Sequence, residues 1–203
     1  ELAQIHFKSL EGLLSKRLKN YKGAVFEFIS DNLEKILAGD PPYLISEIIN
    51  KIPYSKENKN EITRVFNYQS FTQKRSTKYN AYSLANSLQV NVCPYCNRQY
   101  TFTIIEKGED KGNTRPDFDH FYSQSKYPYL ALSFYNLIPS CKTCNSTFKQ
   151  DKEWNLDKYV HPYTEGFGNC KFSAKPKQGK GIDFFYGKAE AFEITFKNVS
   201  AKT

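Results

Sequence analysis

Two short stretches decide the fold: Arg115-Pro-Asp-Phe-Asp119-His120-Phe-Tyr122, and Ser133-Phe-Tyr-Asn136-Leu-Ile-Pro-Ser140, which runs into Cys141-Lys-Thr-Cys144-Asn145. Upstream, Cys93-Pro-Tyr-Cys96 closes the other end of the segment. Each Cys-x-x-Cys places two thiolates on one tight knuckle, and two such knuckles make a complete tetrahedral set for Zn²⁺. Forty-four residues separate the pairs. Cys93, Cys96, Cys141 and Cys144 are therefore expected to hold a structural zinc, which supplies on the order of 10 kcal/mol to folding. Cys170 is left over.

Two other chemistries use similar letters. Cys-Pro-Tyr-Cys also occurs as a redox dithiol, but that use needs the first Cys at a helix N-terminus after a parallel strand. No βαβ pattern precedes Cys93, and the second pair would go unexplained. A zinc deaminase needs His-x-Glu upstream of its Pro-Cys-x-x-Cys. Neither His6 nor His120 has Glu two positions on.

Outward from the knuckles the periodicity changes. Residues 99–105, QYTFTII, are β-branched and aromatic and predict a strand. Asp117–Tyr122 and Asn136–Pro139 predict short strands, with a charged loop at Glu106–Pro116 and a helix over Lys142–Asp151. Residues 1–90 read as helical. Leu2, Ile5, Leu10, Leu13, Leu14 and Leu18 form one stripe; Val25 to Leu37 form a second helix that stops at Gly39. Asp40-Pro41 caps a third, and two more are expected over 57–73 and 80–89. His6 is expected at the surface or the edge of the core. The tail, 166–203, reads as β-rich, with strands at Ile182–Tyr186 and Ala191–Phe196 and a turn at Gly187-Lys188. The expected architecture is α+β: a helical region (1–90), a knuckle-bounded centre (91–165) and a β-rich extension (166–203).

At the centre the chain resembles the HNH endonucleases, the zinc-stapled ββα-metal family. That family carries an acidic residue and His on the first strand, Asn before the second knuckle, and Cys-x-x-Cys-Asn opening the helix. Asp119-His120, Asn136 and Cys141-x-x-Cys144-Asn145 match in order over about residues 93–162; Ser123 stands where many members carry Pro. The resemblance implies Mg²⁺- or Mn²⁺-dependent cleavage of DNA, leaving 5′-phosphate and 3′-hydroxyl ends. His120 would be the general base, Asp119 and Asn145 the ligands of the catalytic cation, and Asn136 the residue holding the imidazole tautomer. Lys149, one turn beyond Asn145, would neutralise phosphate. Asp117, Arg98 and His161 would support the site. Modules of this kind serve bacterial anti-phage and restriction systems, often beside an ATPase or sensor, which the helical region would dock.

Composition agrees with such partners. Lys and Arg number 29 against 21 Asp and Glu, a net charge of +8, which suits a phosphate-rich partner without fixing the fold. Lys74, Arg75, Lys78, Arg98, Lys142, Lys149, Lys152, Lys175, Lys177 and Lys180 flank the centre. They can steer duplex DNA without reading its sequence. With 31 Phe and Tyr residues the chain can bury a core. The longest uncharged stretch, Tyr79–Asn97, is too polar for a bilayer, so no membrane partner is expected. An odd cysteine count without a leader points to the cytoplasm rather than a secreted disulfide framework. The chain has no Met and begins at Glu1, so its native start is expected to be missing. The competing class is a non-catalytic zinc-ribbon nucleic-acid-binding module, which needs the cysteines and the charge but not Asp119, His120 and Asn145 together.

Overall fold

The computed structural model describes residues 1–73, 79–106, 113–150, 152, 154–166 and 171–197. Lys74, Arg75, Lys78, Asp151 and Cys170 lie outside them. The chain is a mixed α+β protein that forms two compact units, residues 1–156 and 157–203. Among the described residues no helix is long and apolar enough to cross a membrane.

In the first unit α1 (Leu2–Leu18) buries Ala3, His6, Leu10, Leu14 and Leu18, one face at helical spacing. The expected second helix is broken in two, α2 (Ala24–Asp31) and α3 (Leu33–Ala38). At the break Asn32 leaves helical geometry (φ −114°, ψ 17°) and its side chain donates to Phe28 O at 2.9 Å. Such local competition for backbone acceptors is why Asn interrupts helices. α3 ends where Gly39 turns to extended geometry (φ −67°, ψ 140°), a position that suits Gly because a Cβ there would lie 2.4 Å from Lys35 O. Asp40 then caps α4 (Pro41–Tyr43), accepting from Tyr43 N–H at 2.9 Å. The chain continues as a wider helical turn over Leu44–Ile49.

The helix expected over 57–73 is also two, α5 (Lys59–Val65) and α6 (Tyr68–Thr72), with Asn67 capping the second. α7 (Ala81–Leu88) opens on Asn80, which forms a reciprocal capping box with Ser83.

β1 (Asp117–His120) and β2 (Leu137–Ser140) pair antiparallel, Asp117 opposite Ser140 and His120 opposite Leu137. The following helix, Thr143–Lys149, is π-helical, with Gln150 N–H donating to Asn145 O five residues back. The strand expected over 99–105 does not form. That segment makes single bridges at Tyr100 with Val92 and Ile104 with Thr114, while Tyr100, Phe102, Ile104 and Ile105 stay exposed. Strand propensity reflects a fit to a half-buried sheet, and no neighbouring strand covers these side chains among the described residues.

The helices are the scaffold of the β1–β2 connection. α1 and α3 pack on the turn Phe134–Asn136, and α5 on the turn Pro128–Leu130. Tyr129, Leu130, Ala131, Leu132 and Phe134 are buried there, and large apolar side chains of this kind contribute roughly 1.5–3 kcal/mol each.

In the second unit β3 (Lys171–Pro176) pairs antiparallel with β4 (Phe192–Lys197). The expected strand at Ile182–Tyr186 is instead a helix, α8 (Gly181–Phe185). Asp183 ties its turn together by pairing with Lys188 at 2.8 Å, and Gly187 at φ +68° lets the chain leave it.

Candidate metal centre and adjoining cleft

The two knuckles meet. The Sγ atoms of Cys93, Cys96, Cys141 and Cys144 lie within 4.8 Å of one another, with Cys96 and Cys141 at 4.0 Å. Zn–S bonds of about 2.3 Å in a tetrahedron require sulfurs slightly under 4 Å apart, so the set fits one zinc ion. The backbone prepares the charge. Burial works against the Cys96 thiolate, yet the N–H groups of Arg98 and Gln99 outweigh it and bring its pKa down to about 7. Burial pushes the Cys93 and Cys144 thiols up, a penalty that a bound divalent cation removes by deprotonating its thiol ligands. The main-chain N–H of Arg98 is the part of that residue that favours the Cys96 thiolate. Its exposed side chain does not line the cleft described next.

Beside the cysteines opens a cleft of about 510 Å³, and Asp117, Asp119, His120, Asn145 and Lys149 all line it. His120 ends β1 half-buried, its Nε2 3.0 Å from the carbonyl of Ala131. A carbonyl accepts only, so Nε2 carries the proton and Nδ1 keeps its lone pair. Nδ1 has no hydrogen-bond partner among the described residues. The edge of Tyr68 packs on the imidazole at 4.5 Å between centroids, and the Tyr68 hydroxyl donates to Phe118 O at 3.2 Å. Burial holds the His120 pKa down at about 4 rather than near 6.5, so the ring is neutral at physiological pH.

Asp119 is the most constrained group. Its Oδ1 is 2.8 Å from Lys149 Nζ and both side chains are almost fully buried (3% and 4% exposed). Its Oδ2 accepts from the Tyr95 hydroxyl at 2.6 Å. Lys149 also donates to His120 O and sits 5.1 Å over the Trp154 ring, whose edge contacts Tyr95. Burial pulls the Lys149 ammonium down and the Asp119 carboxylate opposes that. The structure pairs Lys149, the residue expected to neutralise phosphate, with the Asp119 carboxylate.

Asn136 is buried. Its side chain accepts from Tyr122 N–H at 2.7 Å and donates to Tyr122 O and Leu130 O at 3.1 and 2.9 Å. It staples the β1–β2 connection, and Ala131 in that connection holds the imidazole. Asn145 lines the cleft from the π-helical segment, and Asp117 lines it from the start of β1. His161 is buried in the second unit, where its Nδ1 accepts from Tyr163 N–H at 3.4 Å.

Tyr95, Tyr68, Arg115 and the Ala131 carbonyl escape a reading by motif. Tyr95 has one sequence signal, its place between two zinc ligands, and the others have none. The chain matches no protein-family model, no curated protein and no solved structure. What can be said of its chemistry rests on these residues.

Proposed function

We propose that the protein is a metal-dependent HNH endonuclease that hydrolyses DNA phosphodiester bonds. One observation carries the reading: His120 donates Nε2–H to Ala131 O, leaves Nδ1 without a partner among the described residues, and lines the same cleft as Asp119 and Asn145. A general base must be held in one tautomer within reach of its water, and the Nε2–H bond to Ala131 fixes the tautomer. Nδ1 takes the proton of the attacking water, while the Ala131 carbonyl stabilises the imidazolium that results.

Asp119 and Asn145 offer hard oxygens suited to Mg²⁺ or Mn²⁺. Each carboxylate oxygen has two lone pairs, so Asp119 can keep Tyr95 and Lys149 and still serve as a ligand. Such a cation supplies positive charge to the phosphoryl oxygens and the leaving group. Zinc enclosed by four thiolates has no open position and stays structural. The partners implied are duplex DNA bound with little sequence preference and, by analogy with defence and restriction nucleases, an ATPase or sensor protein in a bacterial cytoplasm.

A plasmid-nicking assay tests the reading. Wild type should nick with Mg²⁺ or Mn²⁺ and lose activity in EDTA without losing zinc, and His120→Ala should be inactive. One observation favours the non-catalytic zinc-ribbon module: both oxygens of Asp119 already have protein partners. Nicking by His120→Ala at the wild-type rate would remove His120 as the base, and no nicking by wild type would sustain that alternative.

A further inference from the structure

Lys149 is paired with Asp119, so a side-chain cation free to meet a substrate phosphate is another residue of the cleft. Among the described residues only one other cation lines the cleft, Arg115. We propose that Arg115 binds a backbone phosphate of the substrate strand, a role that rests on the nuclease reading and specifies how that site takes up nucleic acid.

Three features support it. First, most of its hydrogen-bonding capacity is uncommitted. A guanidinium has five N–H donors; one, on Nη1, goes to Pro116 O at 2.6 Å, and Nε is buried with no partner among the described residues. It makes no ion pair there either, although Asp117 shares its cleft.

Second, the group is held in place before any ligand arrives. Its Cζ lies 5.4 Å from the Tyr82 ring and 5.8 Å from the Phe118 ring. Aromatic packing of this kind immobilises the planar fork and suits a weakly hydrated guanidinium, so little entropy is lost when two parallel bonds to a phosphate form.

Third, Arg115 stands where two cavities adjoin. Together with Asp117 it lines both the His120 cleft and a second cavity of about 370 Å³, which the exposed Tyr100, Phe102 and Lys142 also line. A strand leaving the scissile position toward that cavity passes the guanidinium. Asp117, on the same boundary, keeps the local field from being a bare cationic patch, so the fork and not bulk charge does the selecting.

The experiment measures binding of a fluorescein-labelled DNA duplex to the full, zinc-loaded chain by anisotropy, without divalent cation, over a series of KCl concentrations. Variants are Arg115→Gln and Arg115→Lys, each checked for zinc content and thermal unfolding. Removing one phosphate contact should weaken binding roughly tenfold and make the slope of log K against log salt shallower by about 0.9. Arg115→Lys should keep the slope, since the charge remains, yet lose part of the affinity with the fork. That comparison holds even if Arg115→Gln folds poorly.

Unchanged affinity and slope in both variants, while His120→Ala abolishes nicking, would overturn the proposal and leave the nuclease reading standing. A lower unfolding temperature with an unchanged slope would make Arg115 merely structural. A wild-type chain that neither binds nor nicks DNA would remove both.

Discussion

His6 and His120 are held almost identically and put to opposite uses. Each presents Nε2 to a carbonyl of the same turn, His6 to Leu132 O at 2.7 Å and His120 to Ala131 O at 3.0 Å. Burial brings both pKa values down to about 4. They differ at Nδ1. In the helical core the Tyr79 hydroxyl closes it at 2.9 Å, and Phe71, Tyr79 and Phe134 surround the ring. At the cleft Nδ1 of His120 has no partner among the described residues. A histidine becomes a candidate base through what its second nitrogen lacks, and the first nitrogen's bond shows only that the ring is held.

The largest effect that separates the two regions should come from the metal. Cys141→Ser removes one of four thiolates at 4.8 Å or less from one another, and structural zinc is worth on the order of 10 kcal/mol. The knuckles and the cleft beside them should unfold. Metal analysis should find one zinc per chain in wild type and none retained in the variant, and chelation strong enough to strip zinc should have the same effect. A cooperative, metal-free fold would show that the four cysteines pack without a metal.

The histidines should then part cleanly. His120→Ala should lose about 10²–10⁴ of the nicking rate, the usual contribution of a positioned base. Its unfolding temperature should fall less than that of His6→Ala, because one ring nitrogen of His120 is hydrogen-bonded where both of His6 are. His6→Ala should do the reverse, leaving Leu132 O and the Tyr79 hydroxyl buried without their partner and costing about 3 kcal/mol. An active, fully stable His6→Ala would mean that the turn carrying Ala131 does not depend on α1.

The His6 contribution also has a pH signature. Its folded pKa, about 4, lies below the unfolded value near 6.5, so the unfolded chain takes up the proton first as pH falls. The stabilisation is complete above pH 6.5 and is lost progressively down to pH 4, up to about 3 kcal/mol for this one group. Denaturant unfolding across that window should show the loss, and His6→Gln should flatten it relative to wild type. An identical pH dependence in His6→Gln would place the loss on other groups.

These differences explain what was legible in the sequence. The cysteine set could be read because four soft ligands in two tight pairs have few other uses, and helical stripes such as that of α1 because burial repeats along the chain. The breaks at Asn32 and Phe66–Asn67 could not, since each is a local contest between side-chain and backbone hydrogen bonds. Residues 99–105 and 182–186 carry strand-like letters, but a strand needs a neighbour, and in α8 the Asp183–Lys188 pair and Gly187 favour a turn of helix. At the cleft the residue types were legible and their contacts were not. Nothing in the spacing from Asp119 to Lys149 says whether the ammonium meets phosphate or carboxylate, because tertiary packing against Trp154 decides it.

The smallest effect tests whether the zinc knuckle and the cleft are one device. Tyr95 lies between Cys93 and Cys96, and its hydroxyl donates to Asp119 Oδ2 at 2.6 Å, so a metal held by the four cysteines would fix the loop that positions the carboxylate. Tyr95→Phe keeps the ring on Trp154 and removes only the hydroxyl. A hydrogen bond to a charged group is worth about 1.5–3 kcal/mol, and Asp119 would still have Lys149, so the carboxylate should be loosened but not lost. Zinc content should be unchanged, and the Mg²⁺ concentration needed for half-maximal nicking should shift by about tenfold while cleavage persists. A shift in zinc content with no shift in Mg²⁺ dependence would confine Tyr95 to the knuckle, and the coupling between the two centres would then rest on the main chain from Cys141 to Asn145.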